Sequence, residues 1–175
     1  QSDCKHWHIS EGGIERNTFG KLRGVARGKA EEVLQILHEN ILKKVNSDYR
    51  EKWLRVDALA QERHVAFTVD IPYSDFFVFK KIQETLPFNY HLQSANSSVV
   101  RYFQLFKDLK TKYFHANRGT SGIDGSTSTA VGYCYAANEP TLLVTGDLSF
   151  MYDSNGLWNN IKSPLLRIIV INNSG

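Results

Sequence analysis

No apolar stretch in this chain approaches the roughly 20 residues that a bilayer-crossing helix requires. The opening "QSDCKHWHIS" has neither the basic leader nor the apolar segment of a secretory signal. Cysteine is scarce: Cys4 and Cys134 are too few and too dispersed for a disulfide framework, and no CxxC or Cys/His cluster offers a zinc site. The histidines (His6, His8, His38, His64, His91 and His115) show no ligand spacing either. Charge of one sign is also missing. With 21 Lys and Arg against 18 Asp and Glu the net charge is only +3, and the basic residues are scattered rather than striped. That argues against a nucleic-acid face and leaves a mild excess that suits small anionic ligands. Repeats and low-complexity tracts are absent. What remains, 42% hydrophobic and 22% charged, is the composition of a soluble globular domain, for which a reducing cytoplasm is the expected setting. The chain opens on Gln1 rather than Met and is expected to be a piece of a longer polypeptide.

From about residue 90 the pattern alternates strand and helix. "YHLQSA" reads as a strand and "SSVVRYFQLFKDL" as a helix; "KYFHA" is a second strand and "TSTAVGYCYAA" a helix. "TLLVT" is a third strand, "MYDSNGLWNNI" a helix, and "LLRIIVI" a fourth strand. Near-continuous apolar strands separated by helices predict an α/β fold: a parallel sheet covered by helices on both faces. Upstream, "SDFFVFKKIQETLP" predicts a helix with Ser74 at its N-cap and Pro87 just past its end, and "YREKWLRVDALAQERHVAF" predicts another. The first 40 residues differ. Two strand-like stretches, "KHWHIS" and "LRGVARG", precede a helix in "KAEEVLQILHENILKK", which is too little for a domain. Residues 1–48 are therefore expected to be the tail of a preceding domain with its linker, near 41–50, and 49–175 a partial second domain.

In an open parallel sheet, ligands bind outside the carboxyl ends of the strands, and four features fall on that edge. Asp147 follows "TLLVT" and Asn173 follows "LLRIIVI", an interval close to the roughly 30 residues of one strand–helix–strand unit. On neighbouring strands, a carboxylate and an amide oxygen with a backbone carbonyl nearby form an oxygen-only donor set that suits Mg²⁺ or, less selectively, Ca²⁺. Each residue also has an ordinary reading, Asp147 as a helix N-cap and "NNSG" as a turn. The second feature is "ANRGTSGIDGSTSTA", where Gly119, Gly122 and Gly125 permit close backbone approach and successive N–H groups at a helix start can cradle an anion. It matches neither the dinucleotide fingerprint nor a P-loop. In the third, "ANSSVVR", Asn96 or Ser97 can cap the following helix. Ser97 and Arg101, four residues apart, share a face and make a carboxylate-binding corner; a routine cap with a surface arginine is the plainer alternative. The fourth is Arg118, directly after "KYFHA" on the same edge.

Together these segments resemble a known family. "GDLSFMYDSNGLWNN" followed by "IIVINNSG" is similar to the diphosphate-and-metal motif of thiamine-diphosphate enzymes. "NRGTSGIDGSTSTAVG" and "NSSVVR" narrow the resemblance to the 2-succinyl-5-enolpyruvyl-6-hydroxy-3-cyclohexene-1-carboxylate synthases of menaquinone biosynthesis, close from about residue 90 to 175 and looser before. Where most thiamine enzymes read Gly-Asp-Gly, this chain reads Gly-Asp-Leu-Ser, as is usual in the menaquinone branch.

The resemblance implies a thiamine-diphosphate-binding fold, truncated here, and thiamine diphosphate with Mg²⁺ or Mn²⁺ as cofactors. Asp147, Asn173 and the carbonyl of Gly175 would ligate the metal. Gly146, Leu148 and Ser149 would line the diphosphate, while Ser121 and Ile123 would contact the cofactor, Ile123 keeping it bent. Ser97, Arg101 and Arg118 would bind the carboxylates of the substrates. The implied enzyme is a transferase that decarboxylates 2-oxoglutarate and adds the resulting succinyl semialdehyde carbanion to isochorismate, working as a homodimer or homotetramer. Its activating glutamate would lie in an N-terminal domain outside this sequence, so no catalytic residue is expected here and the chain alone is expected to be inactive. Alternatives are another thiamine-diphosphate enzyme (acetolactate-synthase-like or a 2-oxoacid decarboxylase), a non-catalytic phosphate-binding α/β module, or a structural domain.

Overall fold

The apolar runs beyond residue 90 pair with one another in parallel, as their composition expects. The computed structural model describes residues 3–13, 15–41, 46–107 and 109–173. The chain divides into two compact units, residues 1–62 and 63–175. In the first, β1 (His6–Ser10) pairs in parallel with β2 (Leu22–Arg27). The Trp7 indole lies over Gly24, where a Cβ would come within 2.6 Å of the ring, so any larger residue would have to push the indole aside. Helix α1 (Ala30–Glu39) follows, with Glu31 and Glu32 in its first turn and His38 in its last, the polarity its dipole favours. The expected extension of this helix over 42–44 lies outside the described residues, as does the part of the expected linker at 42–45. Helix α2 (Tyr49–Phe67) runs across the boundary between the units.

The second unit begins its regular packing at α3 (Asp75–Thr85). Ser74 caps it as expected, its Oγ accepting the Phe77 N–H at 3.3 Å, and the helix closes at Leu86, which precedes Pro87 and is extended (ψ 121°). There follow β3 (His91–Ser94), α4 (Ser98–Phe103), β4 (Tyr113–Ala116), α5 (Ser126–Ala137), β5 (Thr141–Gly146), α6 (Asp147–Tyr152), a 3₁₀ turn at Ser154–Leu157, and β6 (Leu166–Ile171). The sheet is wholly parallel, in the order β4-β3-β5-β6. Helices cover both faces. On one, Phe79 and Ile82 of α3 and Val99 and Phe103 of α4 pack with Leu92, Leu142 and Val144. On the other, α5 brings Ala130, Val131 and Cys134 into the core, and its Tyr133 ring lies 3.6 Å from that of His91. The α/β sheet with two covered faces is thus as the alternation predicts.

Two helices differ from expectation. The helix expected over "SSVVRYFQLFKDL" ends at Phe103. Bonding then tightens to three-residue steps, Leu105 N–H to Tyr102 O and Phe106 N–H to Phe103 O, which turns Phe106 into the core against Phe76. The helix expected over "MYDSNGLWNNI" starts earlier, at Asp147, and breaks at Asp153. Asp153 is only 6% exposed because it turns inward: its carboxylate accepts the backbone N–H of Ser128 at 2.7 Å and the Ser128 hydroxyl at 2.6 Å. The first turn of α5 is therefore capped by a carboxylate 25 residues away, while its own N-cap position is Gly125, which has no side chain. Gly156 packs so closely on Ser128 that a Cβ would lie 2.9 Å from its amide nitrogen. Asp153→Ala should cost about 1–3 kcal/mol, since the Ser128 amide and hydroxyl lose a charged acceptor in a part-buried contact. Asp153→Asn, which keeps one acceptor, should cost less. Thermal unfolding of both variants checks this ordering.

His91 supplies a pH dependence. It is 1% exposed, with one ring nitrogen 3.1 Å from the Gln93 amide nitrogen and its ring stacked on His115 at 4.9 Å. Burial, and then the neighbouring His115 charge, hold its pKa below the ordinary 6.5. Below about pH 6.5 the unfolded chain takes up a proton that the folded chain refuses, so stability falls with pH from there down to the lowered folded pKa. Unfolding midpoints measured between about pH 7 and 5 should decline, and His91→Gln should flatten that decline.

Candidate functional site

A doubly wound sheet opens a crevice where two neighbouring strands send their connections to opposite faces. Here that place lies between β3, continued by α4, and β5, continued by α6. At their carboxyl ends is a cavity of about 110 Å³ lined by Asn96, Ser97, Ser98, Ile123, Gly146, Asp147, Leu148, Ser149, Ile171 and Asn173. All four strand-end segments contribute. Of the residues expected at the site, Ser97, Ile123, Gly146, Asp147, Leu148, Ser149 and Asn173 are brought together there.

Pairing of Gly146 with Ile171 puts Asp147 one residue and Asn173 two residues beyond the same rung of the sheet. Asp147 is the first residue of α6, and its side chain makes no capping bond. Asn173 donates its Nδ2–H to Asp75 Oδ2 at 3.1 Å, which leaves the amide oxygen to face an ion. Gly175, the third expected ligand, lies outside the described residues. The donors of Asp147 and Asn173 are oxygens, one of them charged, as Mg²⁺ prefers. The volume corresponds to three or four waters at roughly 30 Å³ each. That is room for an ion with phosphate oxygens.

The glycine loop is held from below rather than left open. Ser149, 5% exposed, donates its hydroxyl to the carbonyl of Ile123. Asn96, 1% exposed, donates Nδ2–H to the carbonyls of Asn117 (2.6 Å) and Gly122 (2.5 Å), and its Oδ1 accepts from Arg118 Nη1 at 3.0 Å. Asn117 in turn donates to Gly125 O and Thr129 Oγ1. Ser121 sits at φ 59° on the exposed side of the loop, its hydroxyl 3.4 Å from Arg118 O.

Three expectations change. Neither Asn96 nor Ser97 caps α4 with its side chain: Asn96 is engaged across the sheet edge, and Ser97, at the N-cap position, makes no side-chain cap bond. Ser97 has φ 68° and ψ −130°, a conformation costly for a residue with a Cβ and characteristic of functional turns. The amide of Ser128, in the first turn of α5, is not open to an anion, because Asp153 occupies it. Arg101, expected beside Ser97, lies exposed on α4 and, like Arg118, is not among the residues lining the cavity. Sequence reasoning missed Asp153 and Asp75, and gave Asn96 only a cap. Their partners are distant in the chain, and no local spacing marks them.

Known proteins bear on this geometry. No family model matches the chain. Over 175 residues, 98% of the chain, it is 42% identical to a 2-succinyl-5-enolpyruvyl-6-hydroxy-3-cyclohexene-1-carboxylate synthase of Flavobacterium psychrophilum, of which it covers 31%. Over nearly its whole length the chain resembles these synthases. Against the synthase of Christiangramia forsetii identity is 50% over 115 residues (66% of the chain, 20% of the relative), and against that of Bacteroides thetaiotaomicron 37% over 171 (98% and 30%). The chain thus spans between a fifth and a third of the length of these synthases. Among the described residues, no helix is long and apolar enough to cross a membrane.

Proposed function

We propose that this chain is part of a thiamine-diphosphate-dependent 2-succinyl-5-enolpyruvyl-6-hydroxy-3-cyclohexene-1-carboxylate synthase acting in menaquinone biosynthesis in the cytoplasm. The observation behind it is the cavity at the strand switch point, which gathers Asp147, Asn173, Ile123 and the Gly146–Ser149 turn on one sheet edge, in a chain homologous to such synthases. Asp147 and Asn173 hold Mg²⁺, or Mn²⁺, and with Gly146, Leu148 and Ser149 receive the diphosphate; the chain's next residues, through the Gly175 carbonyl, complete the metal set. When bound, the thiazolium supplies the electron sink for decarboxylating a 2-oxoacid.

The chain's own residues bind and orient. Ile123 props the cofactor, its carbonyl pinned by Ser149, with Ser121 touching it from the exposed side of the loop. Arg118 and Ser97, with Arg101 from α4, bind the carboxylates of 2-oxoglutarate and isochorismate; a planar guanidinium holds a carboxylate through two parallel hydrogen bonds, which a lysine ammonium does not. In the whole enzyme, a homodimer or homotetramer, these groups work beside residues outside this sequence, so the isolated 175-residue chain should yield no product.

The test uses the full-length protein. Incubated with thiamine diphosphate, Mg²⁺, 2-oxoglutarate and isochorismate, it should give a succinylated adduct by mass spectrometry that requires both cofactor and metal. CO₂ release without an adduct would retain the thiamine chemistry and reject the acceptor; neither product would reject the reading.

A further inference from the structure

We infer that Asn96 is a positioning residue of this site: one buried side chain sets both the path of the glycine loop and the direction of the Arg118 guanidinium. This rests on the function proposed above for Arg118. Asn96 is 1% exposed at the end of β3, yet its partners lie on the connection after β4, 21 to 26 residues away. Its two amide N–H groups face two carbonyls, Asn117 O and Gly122 O, which span the loop's first turn. That fixes the amide's orientation, because an oxygen there would face two other oxygens. The remaining Oδ1 must then point at Arg118, and it does, at 3.0 Å from Nη1. Arg118 is otherwise an exposed side chain on a glycine-flanked loop, with many rotamers to lose on binding a carboxylate. Holding one guanidinium nitrogen in advance removes part of that cost and leaves the other N–H groups for the substrate. Asn96 also precedes Ser97, whose strained backbone forms the cavity wall, so wall and arginine are referred to one anchor. Asp would keep the acceptor and lose both donors, and Leu would lose all three bonds.

The experiment is a double-mutant cycle in the full-length protein with Asn96→Ala, Arg118→Ala and both together, read as KM for 2-oxoglutarate and kcat. A parallel arm measures hydrogen exchange of amides 117–125 in the cofactor-free protein. Asn96→Ala should raise KM on the order of tenfold through misplacement of Arg118. The double variant should be no worse than Arg118→Ala within about twofold, because both act through one group. Asn96→Asp, which retains a partner for Arg118, should recover part of the KM while loop protection stays lost. Independent, multiplicative losses would overturn the assignment, as would an unchanged KM in folded Asn96→Ala. If Asn96→Ala does not fold, Asn96→Asp decides: wild-type protection of 117–125 in that variant would refute the clamp. The exchange arm holds whether or not the protein turns over, so failure of the clamp and failure of the proposed reaction are told apart.

Discussion

Asp147→Asn in the full-length protein should lower Mg²⁺-dependent affinity for thiamine diphosphate by about a hundredfold or more, since even residues that only orient metal ligands cost ten- to a hundredfold when changed. The reason is charge. Among the described donors at the cavity, Asp147 carries the only carboxylate, and Mg²⁺ binds neutral oxygens too weakly to displace its waters without one. The fold should survive, because the Asp147 side chain caps nothing and α6 starts from the extended Gly146 without a side-chain cap. The measurement is calorimetric titration of cofactor with and without Mg²⁺, beside the unfolding midpoint. An unchanged affinity in a stable variant would reject the metal site and favour a module that holds phosphate through its glycine loop alone.

The second large effect is expected at Arg118. Arg118→Ala should reduce kcat/KM for 2-oxoglutarate roughly ten- to a hundredfold, the loss of one or two hydrogen bonds to a charged group at about 1.5–3 kcal/mol. Thiamine diphosphate affinity should stay within about twofold, because Arg118 is not among the residues lining the cavity proposed for the diphosphate. Arg118→Lys should recover little, since an ammonium offers a carboxylate no planar fork. Among the described residues its guanidinium hydrogen-bonds to Asn96, so removing it takes that donor from a buried amide oxygen and a small stability cost is expected with the kinetic one. Equal losses for substrate and cofactor would place Arg118 at the cofactor instead and remove the distinction from thiamine enzymes with small neutral acceptors.

Most elements were legible because their signals are local. Ser74 and Pro87 bracket α3 as their capping and breaking roles require, and β5 is buried along "TLLVT" on both faces, as an uninterrupted apolar run implies. The two helices read wrongly failed for one reason: a long-range contact outweighed helical propensity, Phe106 turning into the aromatic core in one case and Asp153 reaching back to Ser128 in the other. At the site, the residue types at strand ends were readable, and which of them meet was not. Arg101 and Arg118 look alike in the sequence, and both are exposed and outside the cavity lining, yet only Arg118 is tied to Asn96.

By itself, then, the sequence determined the α/β class, the parallel strands and the strand-end addresses of Asp147, Asn173 and the glycine loop, since periodicity and turn chemistry act over a few residues. Tertiary structure alone decided that β5 passes β4 to lie against β3, which creates the crevice. It also turned Asn96 and Asp153 from ordinary polar residues into a clamp and a cap. Each of these depends on burying a polar group against a partner more than 20 residues away, and the free energy that selects such a pair exists only once the sheet has brought the two together.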